Sequence, residues 1–463
     1  MSRRRTSSPR GGRASGRPRR GSVMVIVLWT LGITAIIGSA LQIHAFRQAN
    51  LGHQSLHEIE ARWAARAGVE NAIATMGFFT EDPNPDDAFE LSRKLSSISY
   101  LEFETARSEV LHHAARVDVN GPLDVGGRIN INRPQSFDIF ELLEDASPDQ
   151  MMAIIDWTDE DDEPQLYGAE ADYYLAQSLY EPRNGPFRSV AEMELVAGIW
   201  PDIIRGEDTN LNGRRDPNED DRTRSMPEDN GDGWIDNRWS GMLTVSSVDD
   251  GATDSGLPRL HLRRATADEL IERLGVSEEQ ANALRNFGRT DGANIWDLIG
   301  LPLGSVGGDG GGDGDGEDGE EPVEVPALDV DQLRAAMAEL SMFPLHDRQP
   351  GRININTAAP DMVRDIVELL GLDISVADDL IYLRTSRPQG ITSEVEFGTL
   401  RERGGGSISV ETHRQLASVF GVRANVFQIS SIGRSSVSGT EIEIICTVDR
   451  STVPVRILEY REQ

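Results

Sequence analysis

The stretch "RPRRGSVMVIVLWTLGITAIIGSALQIHAF", residues 17–46, decides how this chain is organised. It joins an arginine-rich amino terminus to the uncharged run Ser22–Ile43. A secretory signal has an apolar core of roughly 7–15 residues, whereas a membrane-spanning helix needs about 20. The run therefore predicts a permanent membrane anchor. Because the arginines precede it, the positive-inside rule places the amino terminus in the cytoplasm.

Helical periodicity continues beyond the apolar run. Apolar residues recur at near-helical spacing at Leu51, Leu56, Ile59, Trp63, Ala67 and Ala74. The spacing predicts one helix from Ser22 to about Met76, which would be roughly 80 Å long at 1.5 Å per residue. Its first half is apolar on all sides, and its second half is amphipathic.

A basic leader, a glycine and an apolar helix follow one another in residues 17–76 and resemble a type IV prepilin. The resemblance implies that a prepilin peptidase cuts between Gly21 and Ser22 on the cytoplasmic side. Pilins normally carry glutamate at the fifth mature position, which here is Ile26. Within this superfamily, the K family of minor pseudopilins of type II secretion systems lacks that acid. A subunit without it cannot make the ion pair to a subunit above, which suits the tip of a filament.

The composition excludes several classes of protein. The 463 residues carry a net charge of −32, and loss of residues 1–21 removes eight arginines and gives about −40 (−32 − 8). Such a charge repels nucleic-acid phosphates and anionic lipid headgroups. Cys446 is the single cysteine, so an intramolecular disulfide is impossible. It stands in an alternating strand pattern, which predicts a small buried core residue.

The middle of the chain contains an internal repeat. "GRININ" occurs at residues 127–132 and 351–356, each time followed by two helical stretches with a short turn between them. A third, degenerate copy covers residues 260–287. These copies predict helix-hairpin-helix-like units. The predicted N-caps are Thr266, Ser277 and Ser375.

Helix-hairpin-helix units commonly bind DNA through glycine-rich hairpins with basic residues alongside. The hairpins here read "EDASPD", "LGVSEE" and "LGLDIS", with acids where lysines would be needed. This argues against DNA binding. Catalysis is also disfavoured, because none of the eight histidines stands in an H-E-x-x-H run or pairs with a glycine-flanked serine or a cysteine.

Further blocks resemble the K family of minor pseudopilins. They are "DWTDEDDEPQLYGAEADYY" at 156–174, "NGPFRSVAEMELVAGI" at 184–199 and "TSEVEFGTL" at 392–400. With the leader and the repeats, the resemblance covers most of residues 17–463. It implies a subunit at the tip of the pseudopilus that helps to export folded proteins across the outer membrane. Implied partners are minor pseudopilins I and J in a tip complex, pseudopilin H, major pseudopilin G and the prepilin peptidase.

The carboxyl-terminal region alternates apolar and polar residues, which predicts three antiparallel strands within residues 426–436, 441–450 and 453–462. Strands at 100–110 and 112–119 would complete the sheet. The predicted fold is α+β: a pilin-like long N-terminal helix packed on an antiparallel sheet, with a large, mostly α-helical insertion. The resemblance implies a single-pass inner-membrane protein with a soluble periplasmic head.

Seven segments follow from this interpretation. They are the cleaved cytoplasmic leader 1–21, the transmembrane and amphipathic helix 22–76, the first part of the sheet 77–132, the helical insertion with calcium-type loops 133–303, the Gly/Asp-rich linker 304–326, the second helix-hairpin-helix-like region 327–424 and the C-terminal strands 425–463. The linker contains Gly-Asp pairs, but they lack the nine-residue period of a calcium solenoid.

The segment "DTNLNGRRDPNE", residues 208–219, has the spacing of a calcium-binding loop. Hard oxygen donors at positions 1, 3, 5, 9 and 12 and a glycine at position 6 are what such a loop needs. The predicted ligands are Asp208, Asn210, Asn212, the backbone carbonyl of Arg214, Asp216 and Glu219. Arg215 at position 8 departs from the usual apolar residue and favours the alternative of an acidic surface turn.

A second segment, "EDNGDGWIDNRW" at residues 228–239, repeats the pattern less completely. The predicted ligands are Glu228, Asn230, Asp232, the backbone carbonyl of Trp234, and Asp236. Position 12 is Trp239, so a carboxylate from elsewhere or a water molecule must complete the shell. Both loops predict Ca²⁺. They leave open a second interpretation of the chain, a membrane-anchored calcium-binding scaffold or adhesion protein outside any pilus.

The processing site gives the first testable prediction. The membrane-extracted protein should begin at Ser22 in mass spectrometry, because the leader ends where the apolar helix begins. Gly21→Leu should leave the leader in place and abolish secretion, since the peptidase needs a small residue before the cut. An intact Met1 in a strain with an active prepilin peptidase would contradict the prepilin resemblance.

Overall fold

The computed structural model describes residues 20–114, 117–177, 180–227, 229–249, 253–305, 325–344, 347–401 and 405–463. Most of the predicted leader (1–19) and of the predicted linker (306–324) lies outside the described residues. The chain divides into two compact units, Met1–Ile59 and Glu60–Gln463.

The α-helices of the described residues are α1 (Arg20–Glu81), α2 (Glu90–Ser97), α3 (Pro148–Thr158), α4 (Ala171–Gln177), α5 (Pro201–Arg205), α6 (Arg238–Met242), α7 (Ala267–Leu274), α8 (Glu278–Phe287), α9 (Val330–Glu339), α10 (Pro360–Leu369), α11 (Ile374–Ser386) and α12 (Val410–Val419). Short 3-10 helices cover Val125–Gly127, Ile139–Leu142, Val190–Leu195, Pro217–Glu219, Ile295–Leu298, Leu303–Ser305 and Glu394–Thr399.

The strands of the described residues are β1 (Tyr100–Glu102), β2 (Ala106–Ala114), β3 (Val117–Asn120), β4 (Leu123–Asp124), β5 (Ile129–Asn130), β6 (Leu243–Thr244), β7 (Leu260–His261), β8 (Leu340–Ser341), β9 (Ile353–Asn354), β10 (Phe420–Gly421), β11 (Val426–Ser435), β12 (Glu441–Asp449) and β13 (Arg456–Glu462). The predicted α+β class is confirmed.

The first unit consists, in its described part, of the amino-terminal portion of α1. Among the described residues, α1 is the one helix long and apolar enough to cross a membrane, with a mean hydropathy of 2.2 in its most apolar 18-residue window. Its apolar side chains, from Val23 to Leu51, are exposed. A surface of this kind is unfavourable in water and favourable in lipid. The first unit therefore fits a single-pass membrane anchor.

The second unit begins with the rest of α1, which ends at Glu81 rather than near Met76. The main sheet has the order β1-β2-β11-β12-β13, with β3 paired to β2 and β4 paired to β11. All of these pairs are antiparallel. The predicted long helix and antiparallel sheet are both confirmed, and Cys446 lies buried in β12.

Small residues on α1 let it approach the sheet closely. The buried face of the helix carries Ala61, Ala64, Ala65, Val69, Ala72 and Met76. A Cβ on Gly68 would lie 2.3 Å from the hydroxyl oxygen of Ser431, and a Cβ on Gly433 would lie 1.8 Å from the carbonyl oxygen of Ala61. The Ser431 hydroxyl donates a 2.8 Å hydrogen bond to the carbonyl of Ala65. Helix and sheet thus touch almost backbone to backbone.

A mostly helical insertion separates β4 from β11, two strands that pair with each other in the sheet. It has a hydrophobic core of its own. Three pairs of two-residue parallel strands hold it together: β5 with β6, β7 with β8, and β9 with β10. Each pair joins the beginning of one repeat to its end, so each repeat closes on itself. Ile129–Asn130, which we expected in the main sheet, pairs with β6 instead.

A left-handed backbone position lies at the hairpin of each repeat, at Asp145 (φ 60°), Gly275 (φ 66°) and Gly371 (φ 72°). In the degenerate copy this hairpin joins α7 to α8, and in the second "GRININ" copy it joins α10 to α11. In the first repeat, the 3-10 helix Ile139–Leu142 precedes the hairpin and α3 follows it. The helix-hairpin-helix interpretation of these units stays a prediction.

The structure tests the three predicted N-caps. Thr266 and Ser277 both form capping boxes, with Glu269 and Gln280 respectively. Ser375 is not the cap of α11, because Asp373 takes that role and accepts a 2.9 Å hydrogen bond from the Ser375 amide. The carboxylate two residues earlier competes successfully for the free amides of the helix.

The last asparagine of each "GRININ" copy has an equivalent role. Asn132 donates to the carbonyl of Phe187 and accepts from its amide, both at 2.8 Å. Asn356 does the same with Ile391, at 2.8 and 2.9 Å. The repeated asparagines therefore hold the segment that precedes the next 3-10 helix, which explains why the motif recurs.

The close approach at Gly433 gives the second prediction. Gly433→Ala should destabilise the fold by about 1–3 kcal/mol, because the added methyl group meets the backbone of α1, which cannot move without repacking. Urea unfolding of the full chain in detergent, followed by circular dichroism, measures this change.

Gly77→Ala on α1 is the matched control. Its Cβ would meet nothing nearer than 3.9 Å, and replacing glycine within a helix stabilises it by roughly 0.5–1 kcal/mol. Equal stabilities for Gly433→Ala and the unmodified chain would show that helix and sheet are not packed as described.

Candidate metal centre

The two predicted calcium loops follow α5 inside the first repeat, and the second loop ends in the first turn of α6. Loop 1 is Asp208–Glu219, and loop 2 is residues 228–239. Glu228, the predicted first ligand of loop 2, lies outside the described residues. The other predicted ligand residues of both loops are described.

Loop 1 turns around the side chains of its first three predicted ligands. The two carboxylate oxygens of Asp208 accept hydrogen bonds from the amides of Asn212 and Gly213, both at 3.0 Å. The side-chain oxygen of Asn210 accepts from the amide of Asn212 at 3.1 Å, and that of Asn212 from the amide of Arg214 at 2.7 Å. Gly213 has φ +67°, a conformation that glycine adopts without strain. These hydrogen bonds fold the loop into a series of tight turns.

The last two ligands close the loop. Glu219 accepts from the amides of Thr209 at 3.1 Å and Asp216 at 3.0 Å. Asp216 accepts a 2.9 Å hydrogen bond from the side-chain amide of Asn210 and forms an ion pair with Arg214. Arg214 was expected to contribute its carbonyl alone, and its side chain in fact neutralises a neighbouring ligand.

Negative charge inside loop 1 is poorly compensated. The pKa of Glu219 is raised to about 7: burial and the charges of Asp208 and Asp216 raise it, and the hydrogen bond from the amide of Asp216 acts against them. Burial also raises the pKa of Asp208, although the amides of Gly213 and Asn212 and the charge of Arg128 act against it. A cation between these groups would remove the repulsion.

Loop 2 has the same internal pattern in its described part. The side-chain oxygen of Asn230 accepts from the amide of Asp232, and that of Asp232 accepts from the amide of Trp234, both at 2.8 Å. Trp239, at position 12, is buried in the core and donates from its indole to the carbonyl of Glu144 at 3.0 Å. Position 12 of loop 2 therefore contributes a buried side chain to the core and no ligand to a metal.

Glu207 brings a carboxylate to loop 2 from outside its sequence. Its two oxygens accept from the amides of Asp236 at 2.9 Å and Asn230 at 3.4 Å. Glu219 contacts loop 1 in an equivalent manner, through amides at both ends of the loop. The pattern search missed Glu207 because it precedes loop 1 in the chain; the signal for it is an acid next to Asp208 that loop 1 does not use.

Loop 1 also joins the helical insertion to the main sheet. The amide of His113 on β2 donates to the carbonyl of Gly213 at 2.8 Å. Gln428 on β11 and Arg461 on β13 both donate to the carbonyl of Leu211, at 2.9 and 3.0 Å. Three strands of the sheet therefore contact one loop, and the position of the insertion depends on the conformation of that loop.

The donors present fit a calcium ion. Carboxylate, side-chain amide and backbone carbonyl oxygens are the ligands that Ca²⁺ takes, six to eight at a time. Asp208, Asn212 and Glu219 are nearly inaccessible to solvent, at 2%, 1% and 1% exposed. Buried oxygens of this kind need a compensating partner. The burial of these groups favours a metal site in loop 1, and the alternative of an acidic turn stays open.

The predicted processing residues lie elsewhere in the chain. Gly21 and Ser22 belong to the first turn of α1, which begins at Arg20. A separate group of carboxylates, Asp156, Asp159 and Glu170, was not predicted as a site and has oxygens within 4.8 Å of one another.

Comparisons with known proteins find similarities in part of the chain. Residues 137–206 match the family model described as type II secretion system protein K. The type II secretion system protein K of Klebsiella pneumoniae is 25% identical over 190 residues, which are 39% of this chain and 58% of that protein. The chain thus matches less than two thirds of the length of that relative.

A solved structure is also similar. A chain of the GspK-GspI-GspJ complex from the type 2 secretion system of enterotoxigenic Escherichia coli aligns with a TM-score of 0.45 and 12% identity, over 89% of this chain and 99% of that one. Residues 137–206 are thus similar to a domain of type II secretion system protein K.

Proposed function

We propose that the protein is a minor pseudopilin that takes the tip position of a type II secretion pseudopilus and helps to export folded proteins across the outer membrane. The observation that carries the proposal is the combination of an exposed apolar helix with an antiparallel sheet that the same helix packs against. The relative from Klebsiella pneumoniae is named as a protein of that secretion system. The role is structural, without a catalytic step.

Two features support the tip position. Ile26 leaves the apolar helix without a carboxylate near its cytoplasmic end, so the helix offers no ion pair to a subunit above it. The insertion, which extends from Val125 to Asn425 between two strands of the sheet, adds bulk that a shaft subunit would have to accommodate at every step. A tip subunit has no subunit above it, so it needs neither the ion pair nor room for a further subunit.

The partners follow from the same proposal. Minor pseudopilins I and J would join this chain in a tip complex, with pseudopilin H and the major pseudopilin G below them. The similar solved chain was crystallised with GspI and GspJ, as the name of that complex states. The apolar helix would lie in the inner membrane, and the second unit would lie in the periplasm.

Filament labelling provides the third prediction. Antibody against the second unit should mark one end of isolated pseudopili, and antibody against the major pseudopilin should mark the whole shaft. Ile26→Glu should still insert, because one acid near the end of a spanning helix is tolerated, and it should still label the end alone.

Uniform labelling of the shaft would contradict the tip position. Normal assembly and secretion in a strain that lacks the protein would favour the other interpretation, a membrane-anchored calcium-binding scaffold or adhesion protein. Co-purification of pseudopilins I and J with the detergent-solubilised chain tests the partners separately.

We further propose that loops 1 and 2 bind calcium and that the ion in loop 1 fixes the helical insertion to the sheet. Asp208, Asn210, Asn212, the carbonyl of Arg214, Asp216 and Glu219 would hold the first ion. Asn230, Asp232, the carbonyl of Trp234 and Asp236 would hold the second, with Glu207 as the added carboxylate. Glu228 would complete loop 2 as a predicted ligand. A bound cation supplies positive charge, and the loop residues position the carbonyls of Leu211 and Gly213 for the sheet.

Calcium should stabilise the folded chain, which is the fourth prediction. A ligand that binds only the folded state at a hundredfold excess over its Kd contributes about 2.7 kcal/mol. The full chain in detergent should therefore melt several degrees higher in millimolar calcium than in chelator. Magnesium should substitute poorly, because it prefers octahedral geometry at about 2.1 Å and loses water reluctantly.

Variants separate the contribution of each loop. Glu219→Gln should lose most of the gain from loop 1, and Glu207→Gln should lose the smaller gain from loop 2. Glu181→Gln, at an exposed position, is the matched control.

Calcium binding should also depend on pH. The pKa of Glu219, about 7, lies above the ordinary value of 4.5, so protons should compete with calcium, and the affinity for calcium should fall below pH 7. The fall should be less steep in Glu219→Gln. Identical melting in calcium and chelator would contradict calcium binding.

A further inference from the structure

A third group of acids lies away from both calcium loops, where α3 ends and α4 begins. Asp156 is the last buried acid of α3, Asp159 directly follows that helix, and Glu170 directly precedes α4. One carboxylate oxygen from each of the three lies within 4.8 Å of the other two. The loop 160–169 brings them together.

Glu170 is the unusual member of this cluster. Its side chain belongs to a residue only 4% exposed, and neither of its carboxylate oxygens has a hydrogen-bond partner among the described residues. One buried oxygen of Asp159 also lacks a partner there. A buried ionised carboxylate without a partner is strongly unfavourable. The arrangement therefore needs either a proton or a cation.

Hydrogen bonds hold the carboxylate of Asp156 in place. Asp156 is fully buried, and its two oxygens accept from the amide of Gln165 at 3.1 and 3.2 Å. Gly168 lies against it so closely that a Cβ there would be 1.9 Å from a carboxylate oxygen. A glycine at this position lets the loop backbone pass directly over the acid. The site is thus built by the fold.

The charges around Glu170 all have the same sign. Burial, together with the charges of Asp156, Asp159, Asp162 and Asp161, raises its pKa to about 7. Burial and the charges of Asp161 and Asp156 likewise raise the pKa of Asp159. No cationic group contributes to either shift, so the described residues provide no internal counter-charge for the cluster.

The geometry fits one small hard cation. Two oxygens that bind the same ion at 2.3–2.6 Å are separated by at most about 5 Å, which accommodates the spacing of this cluster. A cavity of about 360 Å³ adjoins Glu170 and Gly168 and is lined also by the exposed residues Asp162 and Asp172. It has room for the water molecules that complete the shell of a divalent ion.

We propose that Asp156, Asp159 and Glu170 bind a divalent cation of the calcium or magnesium class, at a site separate from loops 1 and 2. The ion pairs the orphaned carboxylate of Glu170 and ties the end of α3 to the start of α4. Its ligands share no residue with the two loops. The inference does not depend on the proposed role in secretion.

Ion counting on the full chain in detergent tests the site. Chelator-stripped protein is dialysed against calcium or magnesium, and bound ions per chain are counted by mass spectrometry. Glu170→Gln should bind one ion fewer than the unmodified chain, because the central carboxylate is gone. Glu163→Gln, an exposed acid in the same loop, is the matched control and should bind the full number.

A melting curve in chelator shows whether each variant still folds without metal. Without metal, Glu170→Gln should melt no lower than the unmodified chain, because removing one charge relieves repulsion in the cluster. Asp159→Asn, at a half-buried position, should weaken the same ion at least tenfold and provides a second variant. Competition between calcium and magnesium then identifies the class of cation.

The proposal is overturned if Glu170→Gln and Glu163→Gln bind the same number of ions with the same affinity. It is also overturned if Glu170→Gln loses its ion only because the chain has unfolded and Asp159→Asn binds normally. Loss of an ion in Glu219→Gln reports on loop 1 alone, so failure of the calcium loops and failure of this site are distinguishable.

Discussion

The contact between α1 and Gly433 is the constraint on which the second unit depends. A helix that touches a strand backbone to backbone leaves room only for alanine, glycine and serine between them, as at Ala61, Ala65 and Ser431. The larger apolar residues, such as Val69 and Met76, then fill the space further along the helix. Since β11 lies in the middle of the sheet and pairs with β2, β4 and β12, this one contact positions the strands on both sides of the insertion.

Acidic side chains form buried ion pairs in the insertion. Arg352, buried in the second "GRININ" copy, pairs with Asp249 at 2.9 Å and with Glu394 at 3.0 Å. Burial alone would lower the pKa of Arg352, and the two carboxylates raise it instead. Around Glu170 the named charges are all acidic, and burial there raises the pKa of the carboxyl group. The high net charge of the chain therefore includes interior groups as well as a solvated surface.

The sequence predicts the long helix and the main sheet better than the two-residue strand pairs that close the repeats. Alternation in β11 and β12 and the apolar run of α1 are strong because each extends over many residues. The strands that close the repeats have two residues each, too few for any periodicity, and their partners are distant in the chain. The role of Glu207 and the assembly of Asp156 with Glu170 also depend on tertiary proximity. A local competition decided the cap of α11, where Asp373 displaced Ser375.

Because each repeat closes on itself through a parallel strand pair, the chain between its 3-10 helix and its last helix is free to differ in length. The repeat that begins at β5 has loop 1 and most of loop 2 before α6, and the repeat that begins at β7 has the Gly/Asp-rich segment before α9. Lengthening a closed loop costs little, about 0.6 kcal/mol per doubling. The stretch before the last helix of a repeat can therefore contain a long additional segment, such as loop 1, which contacts the sheet, while the core of the repeat stays closed.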